Sequence, residues 1–303
     1  MNKSSNNELE INCPVCKNNR GLHIGKPKIS SQALDFIRND YSVVQCINCG
    51  YFFVYPKIDL ADEEWKQLYN FSYFTRMTGW HQEQRLIDIE SRFEKLKNFY
   101  GNNVNNFLDL GCGEGFGLIL ANQKGWNSYG IDIADNRIEE AKNKNINFIC
   151  GNIFNAKLSD DYFDSVYLDS VLEHLIDPVS YLKELNRVMK KGGTLYIGVP
   201  NEDSLFNEVK KFFYRLTGNP VSEKIKPFDP PYHVGGFNKT SLPVTISKAN
   251  FKIIELNNFA ARFEFRKYPY NSRNFWLHLF MLPIDLLAIM IRKEIYLEVY
   301  LKK

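Results

Sequence analysis

Phe107-Leu-Asp-Leu-Gly-Cys-Gly-Glu-Gly-Phe-Gly117 is the stretch that decides the fold. Apolar, strand-compatible residues run into Gly111, Gly113 and Gly115, and a helical segment follows at once. Glycines at alternate positions let a chain turn sharply out of a strand and let its backbone approach a ligand with no Cβ in the way. The helix that starts there points its positive end at that ligand. Several nucleotide-binding folds use such a loop, so the loop alone does not choose between them. Two acids narrow it. Asp109 stands just before the glycines, and Asp132 closes the next strand in Tyr129-Gly-Ile-Asp-Ile133. An acid ahead of the loop repels a pyrophosphate but suits an ammonium group. The combination fits S-adenosylmethionine, a nucleoside with an amino-acid tail and no phosphate.

Outward from this loop, strands and helices alternate. Strands are expected at 107–110, 128–133, 146–150, 163–168 and 193–199, and helices at about 116–124, 135–144 and 178–190. Such alternation predicts an α/β fold with a doubly wound parallel sheet. Gly192-Gly193 reads as the C-cap of the last of these helices. Upstream, residues 59–100 read as helical, with Leu86, Ile89, Phe93 and Leu96 at spacings of three and four. Downstream, 201–236 is a long connection rich in Pro, Phe and Tyr, of the kind that covers an active site. Phe251 to Leu256 and Ala261 to Tyr268 are expected as two more strands.

The front of the chain carries a different signal. Four of its six cysteines form two pairs, Cys13-Pro-Val-Cys16 and Cys46-Ile-Asn-Cys49-Gly50. Thiolates two residues apart grip one side of a tetrahedral zinc, and a second pair completes the site. Tyr41-Ser-Val-Val-Gln45 supplies a strand feeding the second pair, and Tyr51 to Tyr55 another, ended by Pro56. Disulfides are the alternative, disfavoured where no secretion signal precedes them. A four-cysteine site leaves no open position, so this zinc is expected to be structural. Cys112 and Cys150 are expected to pack as small apolar residues.

With 303 residues, 44% of them hydrophobic, the chain can bury a sizeable core. The net charge of +3 gives no argument for a nucleic-acid partner, although basic residues outnumber acidic ones beyond residue 200. Met1 to Glu10 is polar, without the apolar core of a signal peptide, and a cytoplasmic location is expected.

Four ordered segments resemble a known family: Asp109-Leu-Gly-Cys-Gly-Glu-Gly115, Tyr129-Gly-Ile-Asp132, Phe163-Asp-Ser-Val-Tyr-Leu-Asp-Ser-Val-Leu-Glu-His174 and Gly192-Gly-Thr-Leu-Tyr-Ile-Gly-Val-Pro200. Together they look like class I S-adenosylmethionine-dependent methyltransferases, in the branch of the ubiquinone-biosynthesis O-methyltransferases and many sugar enzymes. Pro231-Tyr-His-Val-Gly-Gly-Phe-Asn-Lys-Thr-Ser-Leu242 extends the likeness. Sugar C-methyltransferases similarly join a four-cysteine zinc module to this domain.

The resemblance implies a Rossmann-like seven-stranded sheet with a small N-terminal zinc ribbon, and S-adenosylmethionine as methyl donor. It places Gly111 and Gly113 against the methionine moiety, Asp109 near its ammonium and Asp132 on the ribose hydroxyls. Asn152 falls where relatives hold an acid toward the adenine amine, and Asp169 joins the cofactor-binding set. Methyl transfer needs an aligned acceptor and, for a hydroxyl or carbon acid, a base. His233 and His174 are the candidates, with Tyr232 positioning the acceptor. A metal-binding Glu-x-x-Glu-His lacks its first acid here, since Ser170 stands in that place. Asp229-Pro-Pro-Tyr232 matches an amino-methyltransferase motif but falls after the fifth strand rather than the fourth.

These readings divide the chain into a ribbon at 1–58, a helical connector at 59–105, the methyltransferase domain at 106–270 with a substrate-covering insertion at 201–237, and an apolar tail at 271–303. The tail segment Phe275 to Ile291 is apolar, flanked by Arg273, Arg292 and Lys293, and broken by Pro283 and Asp285. Two readings stay open for it: packing on the core or a second subunit, as monomer or homodimer, and peripheral contact with the inner membrane face. The expected substrate is a small molecule, a hydroxyl or carbon of a sugar, glycan or lipid-linked precursor. The alternatives are an RNA or protein methyltransferase that docks substrate through the ribbon, and a non-catalytic interaction protein.

Overall fold

A computed structural model describes residues 7–31, 33–61, 63–65, 80–143, 145–216, 225–229, 231–259 and 268–303. The chain divides into two compact units. One comprises Met1–Asn70, Val199–Leu242 and Asn257–Glu298; the other comprises Phe71–Gly198, Pro243–Leu256 and Val299–Lys303.

The second unit is built on helix α1 (Trp80–Tyr100) and a run of strands and helices: β5 (Asn106–Leu110), α2 (Phe116–Gln123), β6 (Asn127–Asp132), α3 (Glu139–Asn143), β7 (Asn147–Cys150), β8 (Phe163–Asp169), α4 (Pro178–Val188) and β9 (Met189–Pro200). Strands β11 (Lys252–Phe259) and β12 (Tyr296–Lys302) complete a sheet whose order is β11-β12-β9-β8-β5-β6-β7, seven strands among the described residues. The ladders β5·β6, β5·β8, β6·β7 and β8·β9 are all parallel, as crossover connections through α2, α3 and α4 require. The apolar stripe of α1 works as its spacing predicts. Ile89, Phe93 and Leu96 are buried, and Phe93 sits between Phe107, Trp126 and Tyr167 with ring centroids 4.8, 5.3 and 5.3 Å away.

Several expectations need correction. Helix α4 ends at Val188, and Gly192-Gly193 lie inside β9 rather than capping a helix. Phe163 pairs with Met189 and Ser165 with Thr194, so residues 190–193 bulge from the ladder. A Cβ on Gly193 would stand 2.8 Å from the Lys190 carbonyl oxygen, which is why glycine sits there. The helix expected at 135–144 is confined to Glu139–Asn143. The C-terminal tail contains β12, a buried strand whose end pairs with the bulge through Gly192 N–H to Lys303 O at 3.1 Å. The strand expected at Ala261 to Tyr268 lies outside the described residues up to 267, and of the helical stretch expected at 59–100 the residues 62 and 66–79 lie outside them as well.

Among the described residues, the first unit is built on a five-stranded sheet. Strands β1 (Glu8–Glu10), β2 (Arg20–Gly25), β3 (Ser42–Cys46) and β4 (Phe52–Tyr55) form an antiparallel meander, and β4 is paired on its other edge by the short strand β10 (Gly235–Gly236). The cysteine module therefore takes its last strand from a segment about 180 residues further along. More ties run the same way. Phe228 packs its ring on Tyr41 at 5.1 Å and accepts the Ser30 N–H at 2.8 Å. Asn238 donates to the Gly50 carbonyl at 3.2 Å and to Asp203 at 2.8 Å, while its own oxygen accepts the N–H groups of Thr240 and Ser241. The stretch read as a loose connection also contains helix α5 (Leu205–Leu216), started by Ser204, whose hydroxyl accepts the Asn207 N–H at 3.3 Å. Helix α7 (Arg273–Met290), capped by Ser272, belongs to this unit as well, and helix α6 (Ser241–Ser247) follows β10.

Candidate active site

The glycine loop between β5 and α2 turns on three left-handed residues, Gly111 (φ +75°), Gly113 (φ +51°) and Gly115 (φ +86°), the last being the N-cap of α2. Their surroundings differ. A Cβ on Gly111 would strike Val171 at 2.3 Å, so this glycine is needed for packing; around Gly113 there is open space within 4 Å. Backbone without a side chain, turned toward open space at a helix N-terminus, is what a close-fitting ligand requires.

Two acids frame the opening. Asp109, at 4% exposure, is buried at the end of β5, with room for its carboxylate because Gly117 of α2 has no side chain: a Cβ there would lie 2.5 Å from Oδ2. Burial pushes the Asp109 carboxyl up to about 8, against the pull of Arg85 and with some help from Asp169 and Asp132. Asp132 ends β6, also buried. Its Oδ2 accepts the Gly113 N–H at 2.8 Å and its Oδ1 the Ala134 N–H at 3.3 Å, so the acid holds the loop in its bent form. Burial raises its carboxyl despite these bonds. Each carboxylate oxygen keeps a second lone pair for a ligand hydroxyl.

Asp169, at the end of β8, lies on the same pocket as Asp109, Gly111 and Arg85. It is engaged by Arg92 at 3.1 Å and by the Tyr167 hydroxyl at 3.1 Å, while Arg92 also donates to Tyr167 at 3.0 Å and lies over the Tyr196 ring. The next residue, Ser170, adopts φ 58° and returns its N–H to the Gly198 carbonyl. Asn152 caps a single 3-10 turn, Ile153–Asn155, its side-chain oxygen accepting the Asn155 N–H at 3.1 Å. Its structural duty is thus visible, and one lone pair of the oxygen is left for a ligand. Cys112 is buried beside the acids, and burial raises its thiol. Cys150 is exposed instead of packed, its thiol directed at the Ile133 carbonyl 3.6 Å away.

Arg85 and Arg92 are site residues that the sequence reading passed over. Both lie on α1, seven residues apart, on the turns that bury Ile89, Phe93 and Leu96. Arginines at core-facing spacing in an apolar stripe were the available signal, since a buried guanidinium needs a partner.

Of the proposed acid–base residues, His174 ends a 3-10 turn after β8 in the second unit and is half-buried. Tyr232 and His233 belong to the first unit. Tyr232 is 2% exposed and held at φ 61°, a left-handed conformation costly for a bulky side chain; its N–H donates to the Asp229 carbonyl at 2.9 Å. Burial, with Asp229 nearby, raises its hydroxyl pKa.

The four cysteines Cys13, Cys16, Cys46 and Cys49 hold their sulfurs within 4.8 Å of one another, with Cys13–Cys49 at 3.6 Å and Cys16–Cys46 at 3.5 Å and no bond between them. Two matching turns bring them there. Lys17 N–H bonds to Cys13 O at 3.0 Å and Gly50 N–H to Cys46 O at 2.9 Å, with Lys17 and Gly50 both left-handed (φ 59° and 74°). A tetrahedral zinc with Zn–S bonds of about 2.3 Å sets its sulfurs roughly 3.8 Å apart, so a small closure or expansion suffices to accept one.

Comparisons with known proteins bear on the domain that holds these residues. Residues 108–197, from the strand before the glycine loop to the middle of β9, match the family described as methyltransferase domain. An uncharacterized protein of Methanocaldococcus jannaschii is 35% identical over 164 residues, covering 50% of this chain and 70% of its own. A probable S-adenosylmethionine-dependent methyltransferase of Mycolicibacterium smegmatis is 26% identical over 148 residues, 48% of this chain and 51% of that one. A ubiquinone biosynthesis O-methyltransferase of Coxiella burnetii is 29% identical over 117 residues, 37% and 48%. The chain thus spans about half the length of these last two. A solved S-adenosylmethionine-dependent methyltransferase of Archaeoglobus fulgidus shares the fold, with TM-score 0.50 and 20% identity over 72% of this chain and 94% of that chain. Glycine loop, paired acids, seven-stranded sheet and relatives lead to one conclusion: the chain belongs to the S-adenosylmethionine-dependent methyltransferases.

Proposed function

We propose that the chain methylates a hydroxyl or carbon of a small molecule, a sugar, glycan or lipid-linked precursor, with a structural zinc in the four-cysteine site. The observation that carries this reading is the construction of the first unit. The cysteine module does not stand apart as a docking arm; its β4 edge is closed by β10, and Asn238 ties its second cysteine turn to Asp203. Its task is to fix the segment that carries Tyr232 and His233. That favours a protein-built substrate pocket over an RNA-binding module.

In this reading Asp109 receives the ammonium of S-adenosylmethionine, Arg85 its carboxylate, Gly113 the close approach of its tail and Asp132 its ribose. The open space at Gly113 and the buried, cation-seeking carboxyl of Asp109 fit that molecule. When bound, it supplies a methyl group on a sulfonium, already a good leaving group. The chain must then align the acceptor and take its proton, for which His233 and His174 are the candidates, with Tyr232 positioning the acceptor. A four-thiolate zinc site is best kept in a reducing compartment, and the proposed location is the cytoplasm.

The test is incubation with methyl-labelled S-adenosylmethionine and extract split into glycan, lipid, RNA and protein pools, using Asp132→Ala as control. Label in glycan or lipid that the control fails to transfer is expected; label confined to RNA or protein overturns the acceptor assignment.

A further inference from the structure

Helix α7 turns an apolar face to solvent. Its exposed residues include Trp276, Phe280, Pro283, Leu287 and Met290, one stripe at spacings of four and three, with Phe280 78% and Met290 79% exposed. The polar side chains His278 and Asp285 are half-buried, the reverse of an ordinary surface helix. A second helix does the same. On α5, Phe206, Phe212, Phe213 and Leu216 are exposed. The two helices pack together, the Leu205 N–H donating to the Lys293 carbonyl at 2.9 Å and Lys293 pairing with Glu208 at 2.8 Å. Exposed basic side chains accompany them at Lys211, Arg273 and Arg292.

We propose that α5 and α7 form a docking face for an anionic lipid bilayer, lying in its interface rather than crossing it. The pattern within the helix argues against crossing. Helix α7 is long and apolar enough for a single span by length and composition, but Pro283 and Asp285 interrupt it and α5 packs along it. Charge argues for lipid over a second copy. The stripe spacing would also fit a helix pair, but Arg273 and Arg292 mark the two ends of α7. A parallel pair sets each arginine beside its own copy and an antiparallel pair sets one beside the other, so both orders bring like charges together. Anionic headgroups offer the opposite charge to both ends, with Trp and Phe side chains at the depth where aromatic rings settle. This goes beyond the proposed acceptor, and vesicle binding needs neither cofactor nor acceptor, so its failure leaves the methyl-transfer reading intact.

The experiment is flotation of the full chain with phosphatidylcholine vesicles, with and without phosphatidylglycerol, beside light scattering for its solution mass. Binding to the anionic vesicles is expected. Phe280→Glu with Met290→Glu should abolish it while leaving circular dichroism unchanged, since both residues are exposed. Arg273→Ser with Arg292→Ser should weaken it about fivefold per charge removed. Absence of binding by the parent chain, undiminished binding by the acidic variant, or a dimer that this variant splits would each overturn the proposal.

Discussion

Asp109 couples the site to pH. Its carboxyl titrates at about 8 in the folded chain against an ordinary value of 3.8. Between those values the folded state holds a proton that the unfolded chain has lost, so the ligand-free protein should lose stability as pH rises from about 4 to about 8 and level off above. A bound ammonium reverses the preference and expels the proton. Affinity for S-adenosylmethionine should therefore climb with pH, by up to about tenfold per unit, and flatten above about 8. Calorimetry across pH 6 to 9 reads this directly, and Asp109→Asn should remove the slope. Gly113 and Gly117 give a paired test. Gly113→Ala puts its Cβ into open space at φ +51°, so it should keep most stability, losing about 1 kcal/mol to strain, yet bind cofactor poorly. Gly117→Ala drives a methyl to within 2.5 Å of Asp109 Oδ2 and should cost about 1–3 kcal/mol in thermal unfolding.

At the level of elements, β10 passes close against the residue that leads into β4. A Cβ on Gly235 would overlap the Tyr51 hydroxyl at 1.9 Å, and Tyr51 is 1% exposed among Phe53 and Phe237. Gly235→Ala should destabilise the first unit by about 1–3 kcal/mol, visible as a lower melting transition. The elements that local pattern made legible were those whose signal is periodic or glycine-marked: the β5 loop, the α1 stripe, the cysteine turns. Others were hidden for physical reasons. Strand β12 is buried throughout its middle, so it lacks the alternation of a half-buried strand. Helix α5 shows its apolar residues to solvent, inverting the pattern by which a core is inferred. Gly192-Gly193 serve a bulge, whose glycine requirement matches that of a helix end. At the site, the placing of the glycines and of the strand-end acids Asp109, Asp132 and Asp169 was legible, but Arg92 was not, because it reaches Tyr167 and Asp169 from a helix far upstream in sequence.

Across the whole molecule, the four cysteines bear on residues far from them in sequence. If zinc binds there as proposed, chelation should loosen Asn201 to Phe237 along with the ribbon, because β10 loses the strand it pairs with. Hydrogen exchange should show the Gly235 and Gly236 amides losing protection as metal is withdrawn, while amides of β5 and β6 stay protected; exchange confined to residues before Pro56 would refute a shared scaffold. The same pairing has a consequence for the chain during its synthesis. Strand β4 leaves the ribosome with an open edge, and the partner for that edge is still to be translated. At about 5–20 residues per second, Gly235 follows Tyr55 by roughly 10–40 s. Throughout that interval the nascent chain presents an unpaired strand holding Phe52, Phe53 and Val54, the kind of edge to which other chains adhere.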